Sequence, residues 1–180
     1  MKRISLLFSV LVICFAALIH AQTAPPKPDP ELQKYWVWLG HWRGVIEYPS
    51  GQKVPVEETF EMILGGFFMQ ARVSWPEFGS HDLWIQGYDP TKRNYPVMWY
   101  SGNNGRIRSG TLTVDGNIWT LTSNGPWFSS DGKENLVRIT TTFPADSTSR
   151  QEKGEVSEDS KTWATFYEYK ATKTKPAAKK

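Results

Sequence analysis

Between Val54 and Trp75 apolar and polar residues alternate on either side of Gly65-Gly66, and this constrains the fold more than any other feature of the chain. Alternation with period two is the pattern of a half-buried β-strand, and a Gly-Gly pair suits a two-residue hairpin turn. The hairpin pairs Leu64 with Phe67. Counting outward, Met62 faces Met69, Phe60 faces Ala71, Glu58 faces Val73 and Val56 faces Trp75. These residues make a buried face, while Glu61 with Gln70, Thr59 with Arg72 and Glu57 with Ser74 make the solvent face. A slip of one residue would mix the two faces, which disfavours it. The register leaves one exception, Glu58, a carboxylate on the core side.

A second hairpin reads the same way around Asp115-Gly116. It pairs Val114 with Asn117, Leu112 with Trp119, Gly110 with Leu121 and Arg108 with Ser123. Leu112, Val114, Trp119 and Leu121 are expected inside, and Arg108 shares their face, with Arg106 two residues further out. Thr111 with Thr120 and Thr113 with Ile118 form a β-branched ladder outside. Further strands are expected over Trp42–Tyr48, Asp82–Tyr88, Tyr95–Ser101, Glu134–Phe143, Ser149–Val156 and Thr162–Tyr169. One short helix precedes them. Asp29 can cap it, Pro30 suits its first turn, Leu32, Tyr35, Trp36 and Leu39 recur at helical spacing, and Gly40 ends it. About ten strands with short polar turns and no crossover helix predict an all-β fold, an antiparallel up-and-down β-barrel.

The N-terminus carries a different signal. Met1-Lys2-Arg3 is followed by an uncharged run from Ile4 to Ile19, and Ile19-His20-Ala21 suits a signal peptidase. The chain therefore divides into a signal peptide over 1–21, a Pro-rich linker over 22–30, a barrel domain over 31–170 and a disordered Lys-rich tail over 171–180. Cleavage near Ala21 would deliver a periplasmic or secreted protein with no stable membrane insertion. It would remove Lys2 and Arg3, so 19 of the 21 Lys and Arg would stand against 18 Asp and Glu, a net charge of +1 rather than +3. Such a chain is a poor electrostatic match for nucleic acid, whose binding needs many phosphate contacts. The only cysteine, Cys14, would leave with the leader, taking disulfide and thiol chemistry with it. Ile13 stands before Cys14 where a lipoprotein acceptor would have a small residue.

Three stretches and one motif carry a family resemblance. Gly40-His41-Trp42 after a short helix and before a strand meander resembles the Gly-x-Trp of the calycin superfamily. Leu64-Gly65-Gly66-Phe67-Phe68, Gly87-Tyr88-Asp89-Pro90 and the Trp99-containing strand are similar to a bacterial family of exported lipocalin-like domains of unknown function. The resemblance spans roughly residues 32 to 170 and implies a barrel with an internal cavity. It also implies that Trp42 plugs one end, a structural role. Trp42-Arg43-Gly44 with Tyr48-Pro49-Ser50 looks like haem-binding nitrobindin-type barrels, but no histidine follows His81 to serve as the axial ligand such proteins use. The Arg-x-Tyr that anchors a carboxylate in fatty-acid-binding relatives is replaced here by Phe166-Tyr167-Glu168-Tyr169-Lys170.

No cofactor, metal site or catalytic constellation is expected. His41 and His81 lie far apart without clustered ligands, and His81 has no nucleophile elbow to serve. The sharper candidates are the charges sent toward the core. A charge inside a barrel is costly unless paired or hydrated, so Arg108 requires Glu58, water or an anionic group of a ligand. The expected ligand-binding set is Arg108, Glu58, Arg106, Trp99, Trp119 and Tyr100. Gly125–Gly132 holds two exposed-looking aromatics, Trp127 and Phe128, as a lid or a partner contact. Three functions follow. The first is an exported lipocalin-like protein binding a small apolar or amphipathic ligand in its cavity. The second is an envelope isomerase or hydrolase using Glu58 as acid–base. The third is an envelope interaction protein with a packed barrel.

Overall fold

Among the described residues eleven strands follow one another: β1 (Gly40–Glu47), β2 (Lys53–Ile63), β3 (Phe68–Trp75), β4 (Ser80–Gly87), β5 (Tyr95–Ser101), β6 (Ile107–Asp115), β7 (Ile118–Ser123), β8 (Trp127–Phe128), β9 (Glu134–Thr142), β10 (Ser149–Ser157) and β11 (Ala164–Thr174). The computed structural model describes residues 26–128 and 134–175. The expected signal peptide, residues 129–132 of the expected 125–132 loop and the last five residues lie outside these. Every pairing is antiparallel. β1 to β7 pair in order, β7 continues to β9, β9 to β10, β10 to β11, and β11 returns to β1. Ten strands thus close a barrel, and the short β8 adds to the outer end of β9. Closure leaves no long unpaired edge.

The first hairpin has the expected register: Met62 faces Met69, Phe60 faces Ala71 and Glu58 faces Val73. The second keeps its faces but not its pairs. Val114 faces Trp119, Leu112 faces Leu121 and Gly110 faces Ser123, so the turn sits on Gly116-Asn117 rather than Asp115-Gly116. Gly116 takes the positive φ of +57°, and Asp115 stays in the ladder opposite Ile118. A shift of this kind moves every partner by two positions and leaves the core residues inside. The outer ladder is Thr111 with Thr122 and Thr113 with Thr120.

A 3₁₀ helix over Pro30–Val37 crosses one end of the barrel. The Asp29 carboxylate accepts from the Glu31 amide at 2.9 Å, as an N-cap should. The tighter winding changes the buried stripe to Leu32, Tyr35 and Trp38, three residues apart. Trp36, expected on that stripe, is 63 % exposed. Tyr35 Oη donates to the Gly87 carbonyl at 3.1 Å and Tyr95 Oη donates to Glu31 at 2.5 Å, so the helix is pinned across the barrel. Beneath it Trp38 packs edge-on to Trp119 and Phe143. Trp42 is fully buried at this end, its indole N–H donating to the Trp38 carbonyl at 2.6 Å.

At the C-terminus the last strand runs past the expected domain end. Ala171 is buried, and Thr172, Lys173 and Thr174 pair with β1. These residues belong to the closing seam of the barrel, not to a tail.

Candidate functional site

The barrel interior holds a cavity of about 800 Å³ that runs from the floor at Trp38 and Arg150 to a mouth at Ser50, Phe78 and Asn104. A packed barrel, one of the three expectations, is therefore ruled out. The middle of the wall is apolar, with Leu112, Leu121, Val137 and Ile139. The two ends are polar and differ in how their arginines are met.

At the floor, Arg150 of β10 is 1 % exposed. Its guanidinium lies over the rings of Trp38 at 4.7 Å, Phe60 at 5.1 Å, Tyr169 at 5.2 Å and Trp42 at 5.3 Å. Such a cation is tenable only with an anion beside it, and Glu58 is that anion: Arg150 Nη2 donates to Glu58 Oε2. Tyr169 Oη donates to the same oxygen at 2.5 Å. Burial works against the charge on Arg150, but Glu58 and Glu152 more than offset it and raise its pKa. Burial and the Glu58 charge together push the Tyr169 hydroxyl up, so it stays a donor.

Glu152 stands two residues along the same face of β10. It accepts from Tyr167 Oη at 2.6 Å and from Thr141 Oγ1 at 3.0 Å, Thr141 being its direct cross-strand partner. Its side chain lines the cavity. Burial raises its pKa above the usual 4.5, the nearby Arg150 lowers it in part, and Glu58 adds a further upward push. Two carboxylates thus share one guanidinium at the floor.

One transverse row leads from the floor to the mouth. Phe60, Ala71, Trp84, Trp99 and Arg108 are direct partners across β2 to β6. Cross-strand neighbours on one face lie close enough to stack. Trp84 and Trp99 are 5.1 Å apart at 16°, and the Arg108 guanidinium covers Trp99 at 4.5 Å. Trp127 of β8 closes over the same group, 4.9 Å from Trp99 and 5.8 Å from Arg108. The result is a layered cation–π stack. The Nε of Arg108 and the indole N–H groups of Trp99 and Trp127 are buried without hydrogen-bond partners. Arg108 makes no ion pair with a described residue. Desolvation lowers its pKa, Arg106 lowers it further, and Asp82 partly restores it. The Asp82 carboxylate is itself held by Trp75 Nε1 at 3.0 Å and the Gly102 amide at 2.9 Å.

Five of the six expected ligand-binding residues line this cavity: Arg108, Glu58, Arg106, Trp99 and Trp119. They do not form one cluster. Glu58 faces Arg150 at the floor instead of Arg108 at the mouth, so the anticipated Glu58–Arg108 bridge is absent. Tyr100 is 38 % exposed, outside the barrel, because it follows the inward Trp99 in the strand. Trp127, expected to be exposed, is 7 % exposed and forms part of the mouth. His41 and His81 both lie on the outer surface, His41 bonded to Thr59 Oγ1 at 2.9 Å. Among the described residues no group of His, Cys, Asp and Glu could hold a metal ion.

Arg150, Glu152, Tyr167 and Tyr169 were not singled out from the sequence. Ser149 to Glu155 contains no apolar side chain, so its inner face has no hydrophobic signature. The Arg-x-Tyr motif missing from β11 has a spatial counterpart, in which β10 supplies the arginine and β11 the tyrosine. Here, however, both groups bind the protein's own Glu58, and a ligand carboxylate would find the place taken.

A family model described as "Protein of unknown function (DUF1579)" matches residues 29–173. The chain belongs to this family. The match covers the 3₁₀ helix and the barrel strands up to the penultimate residue of β11. No curated protein matches the sequence. Among solved structures, that of Rv2717c from M. tuberculosis is similar over 83 % of this chain and 100 % of its own, with 16 % identity and a TM-score of 0.49.

Proposed function

We propose that this DUF1579 protein is an exported, lipocalin-like barrel that takes up a small, partly apolar ligand. The observation that carries this reading is a cavity of about 800 Å³ whose mouth holds Arg108 with no ion-pair partner among the described residues. That volume lies within the range of small-molecule sites, which combine apolar walls with a few polar groups. Arg108 supplies the polar contact, Trp99 and Trp119 supply apolar wall, and Arg106 lines the rim. Glu58 belongs to the set indirectly, by holding Arg150 in the floor. The leader over 1–21 directs the protein to the periplasm or beyond and is removed near Ala21.

Native mass spectrometry of the protein made with its own leader in a bacterial host and recovered from the periplasm tests both parts. The expected spectrum shows a polypeptide beginning at Gln22 together with a small-molecule adduct. Arg108→Leu should differ in polypeptide mass only by the substitution itself and keep the thermal stability while losing the adduct. An adduct that survives Arg108→Leu would refute Arg108 as the anchor. A free polypeptide in both samples would count against ligand uptake, and a polypeptide that retains its leader against export.

A further inference from the structure

We propose that the cavity takes an anionic amphiphile, a monocarboxylate with an apolar tail, and holds it with the carboxylate at the mouth on Arg108 and the tail toward the floor. The proposal rests on the ligand-binding reading above and adds the head-group chemistry and the orientation.

The argument is a comparison of the two polar ends. At the floor one guanidinium, Arg150, serves Glu58 directly and lies near Glu152. Its charge is matched or exceeded by carboxylates. A second carboxylate arriving there would displace Glu58 or meet like charge, and both are costly in a closed interior. At the mouth Arg108 has neither an ion pair nor a hydrogen-bond acceptor among the described residues, and the nearby Asp82 carboxylate already accepts from Trp75 and Gly102. A guanidinium stacked face-on against an indole still presents its in-plane N–H groups, and these match a carboxylate. Its Nε is shut in, so the terminal nitrogens are those a ligand meets. Between the ends lie Leu112, Leu121, Val137 and Ile139, a sleeve for a hydrocarbon tail. The tail end would then rest among Trp38, Phe60 and Trp119.

The test compares three probes with the same tail on the purified protein: laurate, dodecanol and dodecylammonium, followed by tryptophan fluorescence. Laurate should bind about tenfold or more tighter than dodecanol, the gain from one charge-assisted hydrogen bond, and dodecylammonium should bind weakest. Arg108→Leu should bring laurate to the affinity of dodecanol. Orientation is read on the unaltered protein from the indole N–H signals. A fatty acid with a nitroxide beside its carboxylate should broaden Trp99 and Trp127, and one with the nitroxide at the tail end should broaden Trp38 and Trp42. Equal binding of laurate and dodecanol, a preference for dodecylammonium, or the reversed broadening pattern would overturn this proposal while leaving cavity binding intact. No binding of any probe would overturn both.

Discussion

Arg150 keeps its charge in a box of aromatic rings because Glu58 and Tyr169 meet it there. Removing one member of a buried ion pair strands the other at a cost of about 3–5 kcal/mol, whereas replacing both with apolar groups costs far less. Glu58→Leu and Arg150→Met should each lower stability by about that amount, and the double variant should be more stable than either. Urea midpoints measure this, and strictly additive losses would mean the two groups are not coupled. Glu152 makes a second prediction. Its pKa is raised in the folded state, so between about 4.5 and the higher folded value the native protein binds more protons than the unfolded chain. Stability contributed by this group is complete below 4.5 and is lost as pH rises. Glu152→Gln should therefore flatten that fall and leave the variant relatively more stable at neutral pH. A wild-type and a Gln profile that run parallel would rule out Glu152 as the source. Glu58 was legible in the sequence because it interrupts an apolar face. Arg150 and Glu152 were not, because residues 149–155 carry no apolar side chain to mark an inner face.

The strands position these groups through two inward glycines. A Cβ on Gly44 would strike the Lys170 carbonyl oxygen, the Tyr169 ring and the Ala171 Cβ, and a Cβ on Gly154 would strike the Tyr167 ring. Each glycine leaves room for a tyrosine, and those two tyrosines are the donors to Glu58 and Glu152. Close approach of neighbouring side chains is a recognised reason for glycine inside a strand. Gly44→Ala should cost at least about 2 kcal/mol by overpacking and lower the thermal midpoint, while Gly125→Ala, with open space around it, should change it little. Equal midpoints for the two variants would show that the seam at Tyr169 is not tight. At this scale the hairpin between β2 and β3 was readable to the exact partner, since a strong turn and a one-sided apolar face agree. The β6–β7 hairpin was readable only to the face. Shifting partners by two leaves the same side chains inside, so burial cannot choose between the Asp115-Gly116 and Gly116-Asn117 turns.

Across the whole molecule, closure decides the function that the cavity can have. β9 meets β10 and β11 meets β1, so the interior is sealed around its wall and opens at one end, the other being capped by the 3₁₀ helix. Closure carries Arg150 to Glu58 across 92 residues and leaves Arg108 without the partner that the first hairpin alone had implied. It also draws Trp127 inward onto Trp99. The amino-acid sequence by itself determined the strands, their order, the inward faces of β2, β3, β6 and β7 and the presence of charge on those faces. These depend on alternation and short turns, which act between residues close along the chain. Only the tertiary structure decided which charge meets which, where each stands along the barrel axis and that the interior stays open, because these depend on contacts between strands far apart in sequence. That pairing leaves Arg150 matched at the floor and Arg108 without an ion pair among the described residues at the mouth, and with this comes the orientation we infer for the ligand.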